Sequence, residues 1–434
     1  MDKMADVLGR AGAWCGQNKY LSAIKNAFQN FMPLTIAGAI GVLWCNVLVN
    51  DQTGLGLFFK PIMALDFLNP AFQAVNFCTI SCITVGITLG IAQEIGVWNM
   101  GAERAGYIPG LVGLAAWLSV TNTSHMVDGA KEAFTGIAGN ELGATGLFTG
   151  MIIGVLSVEL FCFFEKQDAL KIKMPEQVPP GVARAFEVLV PATITLIITA
   201  CIGSGCYNLT GLYLNDVIKN GIQGPLGAVG ATIPGVMIIY LVIMLFWLVG
   251  IHGNNMLSAV KEALFTPLAL ENVEKFNKGE KPTNIINMYA LQMWGEFGGS
   301  GVTIGLVIAI MIFGKREDNK AIATLSLVPG LFNINETVTF GIPMVLNPIL
   351  GIPFVVAPLI TIIIGYVLTV IGFCPVACLT VPWTTPPIVF GFLACGANVM
   401  GAVTQAILIV VSTVIYVPFL ISYEKYQNKQ AAEA

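Results

Sequence analysis

Long stretches of apolar sequence without a charged side chain constrain this chain more than any other feature. None of the residues from 27 to 50 is charged, and neither is any residue from 337 to 423. The hydrocarbon core of a bilayer, about 30 Å thick, takes roughly 20 apolar residues per helical crossing, so the second stretch must cross more than twice. Only 11% of all residues are charged, against about 25% in soluble proteins. The chain is therefore predicted to be an integral membrane protein.

Shorter charge-free runs predict the other membrane crossings. They cover residues 71–93, 105–127, 142–164 with the interruption of Glu159, 188–215, 220–260 and 297–314. The runs are continuously apolar, whereas the strands of a membrane barrel alternate over segments of about ten residues. We therefore predict an all-α integral membrane fold of about ten transmembrane helices.

Basic residues predict the orientation of these helices. Lysines and an arginine are scattered among apolar residues over 1–26, which favours an amphipathic segment on the membrane surface. Further basic clusters lie at 166–184, at 315–320 and at the C-terminus. Because loops rich in Lys and Arg stay in the cytoplasm, both termini are expected there, which requires an even number of crossings.

Helix-breaking residues predict a division into two membrane domains. Pro175, Pro179, Pro180 and Gly181 interrupt the chain between apolar runs. We predict an N-terminal scaffold and dimerisation domain over 27–180 and a C-terminal substrate-binding domain over 181–434. Glycines spaced four apart, such as Gly86 with Gly90 and Gly150 with Gly154, are typical of close helix contacts in lipid. They predict a homodimer formed through residues before about Gly181.

The C-terminal domain contains prolines and glycines where a plain membrane helix needs none. Pro348, Pro353 and Pro358 interrupt apolar sequence, and the glycine-rich run 298–301 closely follows Glu296. Backbone that leaves the helix at membrane depth is tolerated only where protein or a water-filled cavity satisfies its polar groups. We therefore predict re-entrant hairpins and broken helices around a polar cavity, as transporters have.

Three groups of polar residues fall in this domain and predict a carbohydrate site. They are Trp247 with His252 and Asn254, Asn335 with Glu336, and Trp383 with Thr384. A carboxylate deep in a membrane costs at least about 2.5 kcal/mol, which makes Glu336 a functional candidate. Trp stacks on sugar rings, while amides, hydroxyls and carboxylates bind sugar hydroxyls. Glu296 is a further candidate for binding the sugar. Each of these residues, taken alone, could have a structural role instead of binding sugar. The His could be a hydrogen-bonded structural residue, the Glu could cap a helix, and the Trp could lie at the membrane interface.

Charge and cysteine patterns exclude other classes of function. The chain has 21 basic and 25 acidic residues and a net charge of -4, which leaves no electrostatic basis for binding nucleic acid. The 10 cysteines lie mostly in apolar runs and show no CxxC or Cys/His metal spacing. We therefore expect neither a metal site nor a cofactor.

Four motifs in order resemble a known transporter family. They are WLVGIHG at 247–253, GGSG at 298–301, NINETVTFGIPMVLNPILGIPF at 333–354 and VPWTTPPIVFGFLACG at 381–396. The whole chain resembles the IIC permease component of the bacterial phosphoenolpyruvate-dependent phosphotransferase system (PTS), lactose/cellobiose/chitobiose family. The resemblance implies a homodimer of ten-helix subunits in the bacterial cytoplasmic (inner) membrane, whose C-terminal half binds one disaccharide. It places the family's site on His252, Glu336 and Trp383, with Trp247 matching the family's aromatic residue before the His.

The resemblance also implies the reaction. A sugar, expected to be a β-linked disaccharide such as cellobiose, chitobiose or lactose, would be carried inward and phosphorylated by a separate phosphorylated IIB protein. Glu336 and His252 would act on the sugar hydroxyl. No soluble segment of the sequence could house the phosphorylated Cys of a IIB domain, so we expect the donor on another protein. One departure is Thr337, where the family commonly has Pro.

An ion-coupled secondary sugar transporter is the alternative function. Such transporters also use broken helices and intramembrane carboxylates, which Glu94, Glu159, Glu296 and Glu336 could supply. A membrane receptor or a lone membrane enzyme is the non-transport alternative. A requirement of sugar uptake for phosphoenolpyruvate, with sugar phosphate as the product, would distinguish the phosphotransferase from all of these.

Overall fold

Helices form almost all the regular structure in the part of the chain that is described. The computed structural model describes residues 17–51, 55–125, 134–175, 177–225, 230–342, 344–345 and 347–433, together with Arg10 and Trp14. A short antiparallel ribbon pairs β1 (Ser124–His125) with β2 (Phe134–Thr135). The predicted amphipathic segment over 1–26 lies in large part outside the described residues and stays a prediction.

The helices have the following bounds. Before residue 226 they are α1 (Lys19–Leu43), α2 (Asn69–Asn76), α3 (Ile83–Met100), α4 (Ala102–Ala105), α5 (Ile108–Val120), α6 (Gly139–Leu142), α7 (Ala144–Glu165), α8 (Pro180–Thr210) and α9 (Leu214–Ile218). After residue 229 they are α10 (Ile233–Leu248), α11 (Gly253–Asn277), α12 (Met288–Gly295), α13 (Ile304–Phe313), α14 (Glu317–Leu331), α15 (Glu336–Gly341), α16 (Gly351–Val370), α17 (Val389–Ala394) and α18 (Val399–Glu433). Shorter 3-10 helices occupy Leu55–Leu57, Lys60–Leu68, Asp168–Leu170 and Ser300–Val302, and π-helical turns occupy Trp44–Leu48, Phe77–Ser81 and Lys219–Gln223.

Several helices are long and apolar enough to cross a membrane. Among the described residues there are 5: Lys19–Leu48, Ala144–Glu165, Pro180–Thr210, Gly351–Val370 and Val399–Glu433. Two bent pairs also qualify, with 42° between Lys60–Ser81 and Ile83–Met100 and 60° between Met288–Val302 and Ile304–Phe313. The all-α membrane fold is confirmed with 5 to 7 candidate crossings in the described chain, and the number ten stays a prediction.

The described chain divides into two compact units. The N-terminal unit consists of Gln17–Gly38 and Val75–Ala228, and the C-terminal unit contains Ala39–Ala74 and Val229–Ala434. Pro180, at the predicted domain boundary, begins α8, which packs on α5 and α7 within the N-terminal unit. The predicted domain limits of 27–180 and 181–434 stay a prediction.

Glycines bring the helices of the N-terminal unit close together. A methyl group on Gly150 of α7 would lie 2.2 Å from Thr88 Oγ1 of α3, and one on Gly113 of α5 would lie 2.3 Å from Ala92 Cβ of α3. Helices can approach this closely only where one of them lacks a side chain. Gly150, one of the spaced glycines that suggested a dimer, thus packs within its own chain.

The long helix α18 anchors irregular backbone of the C-terminal unit. Gln405, near its N-terminal end, accepts the backbone N–H groups of Ile388 at 2.7 Å and Gly391 at 2.8 Å. Glu424, near its C-terminal end, accepts the backbone N–H of Lys315 at 2.9 Å. Because buried backbone donors outside regular helix need a partner, these two side chains hold the ends of neighbouring helices in place.

Candidate functional site

A polar cavity lies within the C-terminal unit. Its volume is about 620 Å³, within the range of pockets that bind small molecules. Its lining consists of His252, Asn254, Asn255, Gln292, Glu296, Phe297, Ser300, Asn333, Ile334, Asn335, Glu336, Trp383, Phe390 and Gln405. Six of the eight side chains selected from the sequence therefore surround one cavity, although they come from separate helices and loops.

His252 and Glu336 face each other across a gap in this cavity. Nδ1 of His252, the N-cap residue of α11, accepts the backbone N–H of Asn255 at 3.3 Å. Nδ1 is therefore the unprotonated nitrogen, and the ring proton resides on Nε2, which lies 3.9 Å from Glu336 Oε1. This distance is too long for a hydrogen bond. A hydroxyl oxygen placed between the two groups could accept from Nε2–H and donate to the carboxylate.

Glu336 completes this arrangement. Its side chain is half-exposed, lines the cavity and faces Nε2 of His252. The imidazole can therefore donate a hydrogen bond into the cavity, where the carboxylate of Glu336 can accept one.

Trp247 and Thr384, two side chains selected from the sequence, do not line the cavity. Trp247, at the end of α10, is only 2% exposed and places its ring 4.4 Å from the His252 ring. It therefore packs against the imidazole from outside the cavity. Thr384 is half-buried beside Trp383, outside the lining.

Asn333 holds the loop that carries Trp383. Its Nδ2 donates to the carbonyl oxygens of Trp383 at 2.5 Å and Thr385 at 3.1 Å, and its Oδ1 accepts the backbone N–H of Gly298 at 2.6 Å. Trp383 remains 44% exposed, so its indole is free to stack on a ligand. One amide thus fixes the backbone of this loop while leaving the ring open to the cavity.

The glycine-rich turn lets the Asn335 segment come close. Gly299 has a φ of +86°, and a methyl group there would lie 2.7 Å from Asn335 Cβ. Asn335 Nδ2 donates to the backbone oxygen of Ser300 at 2.8 Å. Glycine is required because both the left-handed conformation and the close approach exclude a side chain. The turn therefore packs directly against the residue that precedes Glu336.

Glu296, a candidate for sugar binding, is already paired with other side chains. Its carboxylate forms an ion pair with Lys261 and accepts a hydrogen bond from Tyr240 OH at 2.7 Å. Lys261 is only 6% exposed and Tyr240 is fully buried. Because a buried ion pair keeps its partners together, Glu296 is a less available hydrogen-bond acceptor than Glu336.

Sequence reasoning missed several members of the site. It did not select Asn255, Gln292, Phe297, Ser300, Asn333, Ile334, Phe390, Gln405 or the buried cation Lys261. The amide of Gln405 within an otherwise apolar helix was an available signal, because polar groups inside a membrane are rare and need partners. In the described part of the chain, no group of three or more His, Cys, Asp or Glu side chains could hold a metal ion.

Comparison with known proteins gives a consistent family. A family model described as "Phosphotransferase system, EIIC" matches residues 25–358. The PTS system oligo-beta-mannoside-specific EIIC component of Bacillus subtilis (strain 168) is 32% identical over 429 residues, covering 98% of this chain and 94% of that protein. The PTS system cellobiose-specific EIIC component of Lactococcus lactis subsp. lactis (strain IL1403) is 30% identical over 490 residues, with 98% of each chain covered.

A solved structure has the same fold. It is that of the transporter ChbC, the IIC component from the N,N'-diacetylchitobiose-specific phosphotransferase system. The TM-score is 0.88 at 29% sequence identity, and the match covers 97% of both chains. Together with the family model, this match confirms the resemblance that the motifs indicated, and the chain belongs to the EIIC family of sugar permeases of the phosphotransferase system.

Proposed function

We propose that this permease carries a β-linked disaccharide, such as cellobiose, chitobiose or lactose, across the bacterial inner membrane and presents it to a separate phosphorylated IIB protein. The observation that carries the proposal is the gap of 3.9 Å between His252 Nε2 and Glu336 Oε1, beside the exposed indole of Trp383. A sugar offers both a hydroxyl for this gap and a ring for the indole. The names of the relatives, which specify β-mannoside, cellobiose and chitobiose, support the same class of substrate.

The proposed reaction needs few groups from this chain. A sugar hydroxyl oxygen, expected to be that of C6 on the non-reducing sugar, attacks the phosphorus of the phosphocysteine on IIB. An O–P bond forms, the S–P bond breaks, and the sulfur leaves with the bonding electrons. Glu336 accepts the hydroxyl proton, and Nε2–H of His252 donates to the same oxygen and orients it. Positioning dominates because phosphoryl transfer passes through a loose transition state.

The proposed assembly follows the family resemblance. We infer a homodimer of ten-helix subunits surrounded by membrane lipid, with the N-terminal half as scaffold, the C-terminal half as substrate domain and both termini in the cytoplasm. Sugar would enter the cavity from outside, and movement of the C-terminal half would expose it to IIB. Phosphorylation would then trap the sugar, because its negatively charged product does not suit a cavity that holds the Glu336 carboxylate.

Ion coupling has less support from the carboxylates of the described residues. Glu94 accepts a hydrogen bond from Asn26 at 2.9 Å, and Glu159 pairs with Lys19 at 2.6 Å. Glu296 is neutralised by Lys261. A carboxylate that binds and releases a coupling ion needs to be free of such fixed partners. Of the four candidates only Glu336 meets this condition, which is fewer than the several acids that an ion relay usually needs.

Substitution of Glu336 by Gln provides the decisive test. The amide keeps the shape but cannot accept the proton, so sugar should still bind while sugar-phosphate formation falls by about two orders of magnitude, a usual scale for loss of a general base. Equilibrium binding of labelled disaccharide and phosphorylation by phosphorylated IIB are measured on the same preparations. Glu103→Gln, at an exposed carboxylate of the N-terminal unit, is the control.

Three outcomes would contradict the proposal. Unchanged phosphorylation in Glu336→Gln would remove this residue from the mechanism. Failure of the wild type to phosphorylate any β-disaccharide would contradict the substrate class. If uptake instead depended on an ion gradient, and Glu336→Gln abolished accumulation but preserved exchange of internal for external sugar, the ion-coupled alternative would hold.

A further inference from the structure

A buried ion pair lies at the edge of the cavity and takes no part in the proposed chemistry. Lys261, on α11, contacts the carboxylate of Glu296, and the exposed fractions of the two side chains are 7% and 16%. Tyr240 OH donates to the same carboxylate oxygen at 2.7 Å, and the Lys261 ammonium lies 5.5 Å from the centre of the Tyr240 ring. Removing two charges from water costs several kcal/mol per ion, which favours a functional role for the pair.

The contacts of Lys261 lead from the ion pair to the cavity wall. Its Nζ is 3.5 Å from Asn254 Oδ1, and Asn254 Nδ2 donates to Ser300 Oγ at 2.9 Å. An ammonium group can only donate hydrogen bonds, so Lys261 selects the orientation in which the Asn254 oxygen faces it. The NH₂ group of Asn254 is thereby directed at Ser300, in the glycine-rich turn.

The same turn reaches the segment that carries Glu336. The backbone oxygen of Ser300 accepts from Asn335 Nδ2 at 2.8 Å, and Asn335 immediately precedes Glu336. We propose that Lys261 is a positioning residue of the candidate site: its ammonium neutralises Glu296 and orients the Asn254 amide, which fixes the glycine-rich turn against the Asn335–Glu336 segment. The proposal rests on the proposed function for the reaction that this arrangement serves.

His252 provides a reporter of the ion pair that does not depend on sugar. The charged groups near its ring are Glu336, at 3.9 Å from Nε2, and Glu296 of the same cavity with its partner Lys261. The chain contains only 2 histidines, so histidine-selective isotope labelling gives a simple NMR titration, and His125→Gln assigns the other signal. We expect Lys261→Met to raise the pKa of His252, because a cation is lost. We expect Glu296→Gln to lower it, because an anion is lost.

The double variant Lys261→Met/Glu296→Gln separates charge balance from packing. Each single variant leaves one buried charge without its partner, whereas the double variant leaves none. We therefore expect disaccharide affinity to fall by about tenfold or more in Lys261→Met and to recover in part in the double variant. Lys278→Met is the matched control. Lys278 directly follows α11 and forms an exposed pair with Glu274 of that helix, so its substitution should change neither affinity nor the titration.

Specific results would overturn the proposal. They are shifts of the His252 pKa in the same direction in both single variants, no shift in either, or a double variant that binds sugar no better than Lys261→Met. If Lys261→Met does not fold, Glu296→Gln and the double variant still give the two comparisons. Absence of β-disaccharide binding in the wild type would refute the proposed function, whereas the histidine titration would still decide whether Lys261 balances Glu296.

Discussion

Asn333 joins three segments of the C-terminal unit through a single amide group. It contacts the glycine-rich turn through Oδ1 and the Trp383 loop through Nδ2, and its own φ is +62°. Asn is one of the few residues besides glycine that visit the left-handed region readily. The residue therefore combines an unusual backbone conformation with two kinds of hydrogen bond, which few other side chains could do. Its effect on sugar binding would be indirect, through the position of Trp383.

Trp383 itself gives a direct prediction at the residue scale. If its indole stacks on a sugar ring, Trp383→Ala should weaken sugar binding by about 1 to 3 kcal/mol, the scale of a large aromatic contact removed from a binding site. Trp383→Phe should lose less, because a smaller aromatic face remains. Titration calorimetry of the purified protein with the disaccharide would measure both changes.

A second exposed tryptophan supplies the control for this experiment. Trp98 in α3 is 56% exposed and belongs to the N-terminal unit, so Trp98→Ala should leave sugar affinity unchanged. Thermal stability without sugar should be the same in wild type and Trp383→Ala. If Trp383→Ala lowered the stability of the sugar-free protein by as much as it weakened sugar binding, Trp383 would serve packing instead.

The sequence allowed some site residues to be selected and not others, for a physical reason. Glu336, His252 and Trp383 carry polar groups within apolar sequence. The free-energy cost of placing such groups in a membrane can be recognised from the sequence alone. Lys261 and Asn333 are not conspicuous in this way, because their roles depend on partners 35 and 50 residues away in the chain. Long-range hydrogen bonds of this kind have no local sequence pattern.

Helix packing in the N-terminal unit gives a prediction at the element scale. Gly150→Leu should lower the stability of the protein by about 1 to 3 kcal/mol, the usual effect of inserting a side chain into a filled interface. The reason is the close approach of α7 to Thr88 of α3. A thermal unfolding midpoint measured in detergent, compared with wild type, would report the change.

Gly205 on α8 is the matched position for that measurement. A methyl group there would meet no atom within 4 Å, so Gly205→Leu should be neutral or slightly stabilising, since Leu is a better helix former than Gly by about 0.8 kcal/mol. If Gly205→Leu lost as much stability as Gly150→Leu, the α3–α7 contact would not explain the loss at Gly150.

Element-level patterns were informative about breaks in helices but not about partners. The glycine-rich run beside Glu296 predicts a broken helix, and the structure has a bend of 60° between Met288–Val302 and Ile304–Phe313. The glycine spacing at Gly150 predicts a close helix contact, and its neighbour within the chain is Thr88. A small residue permits close approach, but the spacing alone does not say which helix approaches.

Assembly gives the prediction at the scale of the whole molecule. We expect a homodimer formed through the N-terminal half, and exposed apolar positions such as Leu111 and Leu156 are available for it, at 57% and 59% exposure. Single cysteines placed at these and neighbouring positions, in a cysteine-free background, should yield cross-linked dimers in membranes. Cysteines at exposed positions of α16, such as Ile363, are the control. Cross-links formed only between C-terminal halves would contradict the predicted interface.

Composition and charge-free runs were sufficient for the class of the whole molecule, because no soluble chain could cover so much apolar surface. The C-terminal unit includes Ala39–Ala74 as well as Val229–Ala434, so an early segment packs with a late one. Such a long-range association has no local pattern in the sequence. The predicted domain limits of 27–180 and 181–434 stay a prediction.

The carboxylate of Glu336 accepts no hydrogen bond from the described residues, and this has a consequence for product release. After transfer it would hold the proton and be neutral beside a phosphate of charge about -1.5 to -2, so the new product would meet no repulsion. Loss of that proton to water would place like charges a few ångströms apart, at a cost of about 4 kcal/mol for unit charges at 4 Å near a protein surface. The residue that begins the chemistry would thus also expel its product and return the cavity to a state ready for the next sugar.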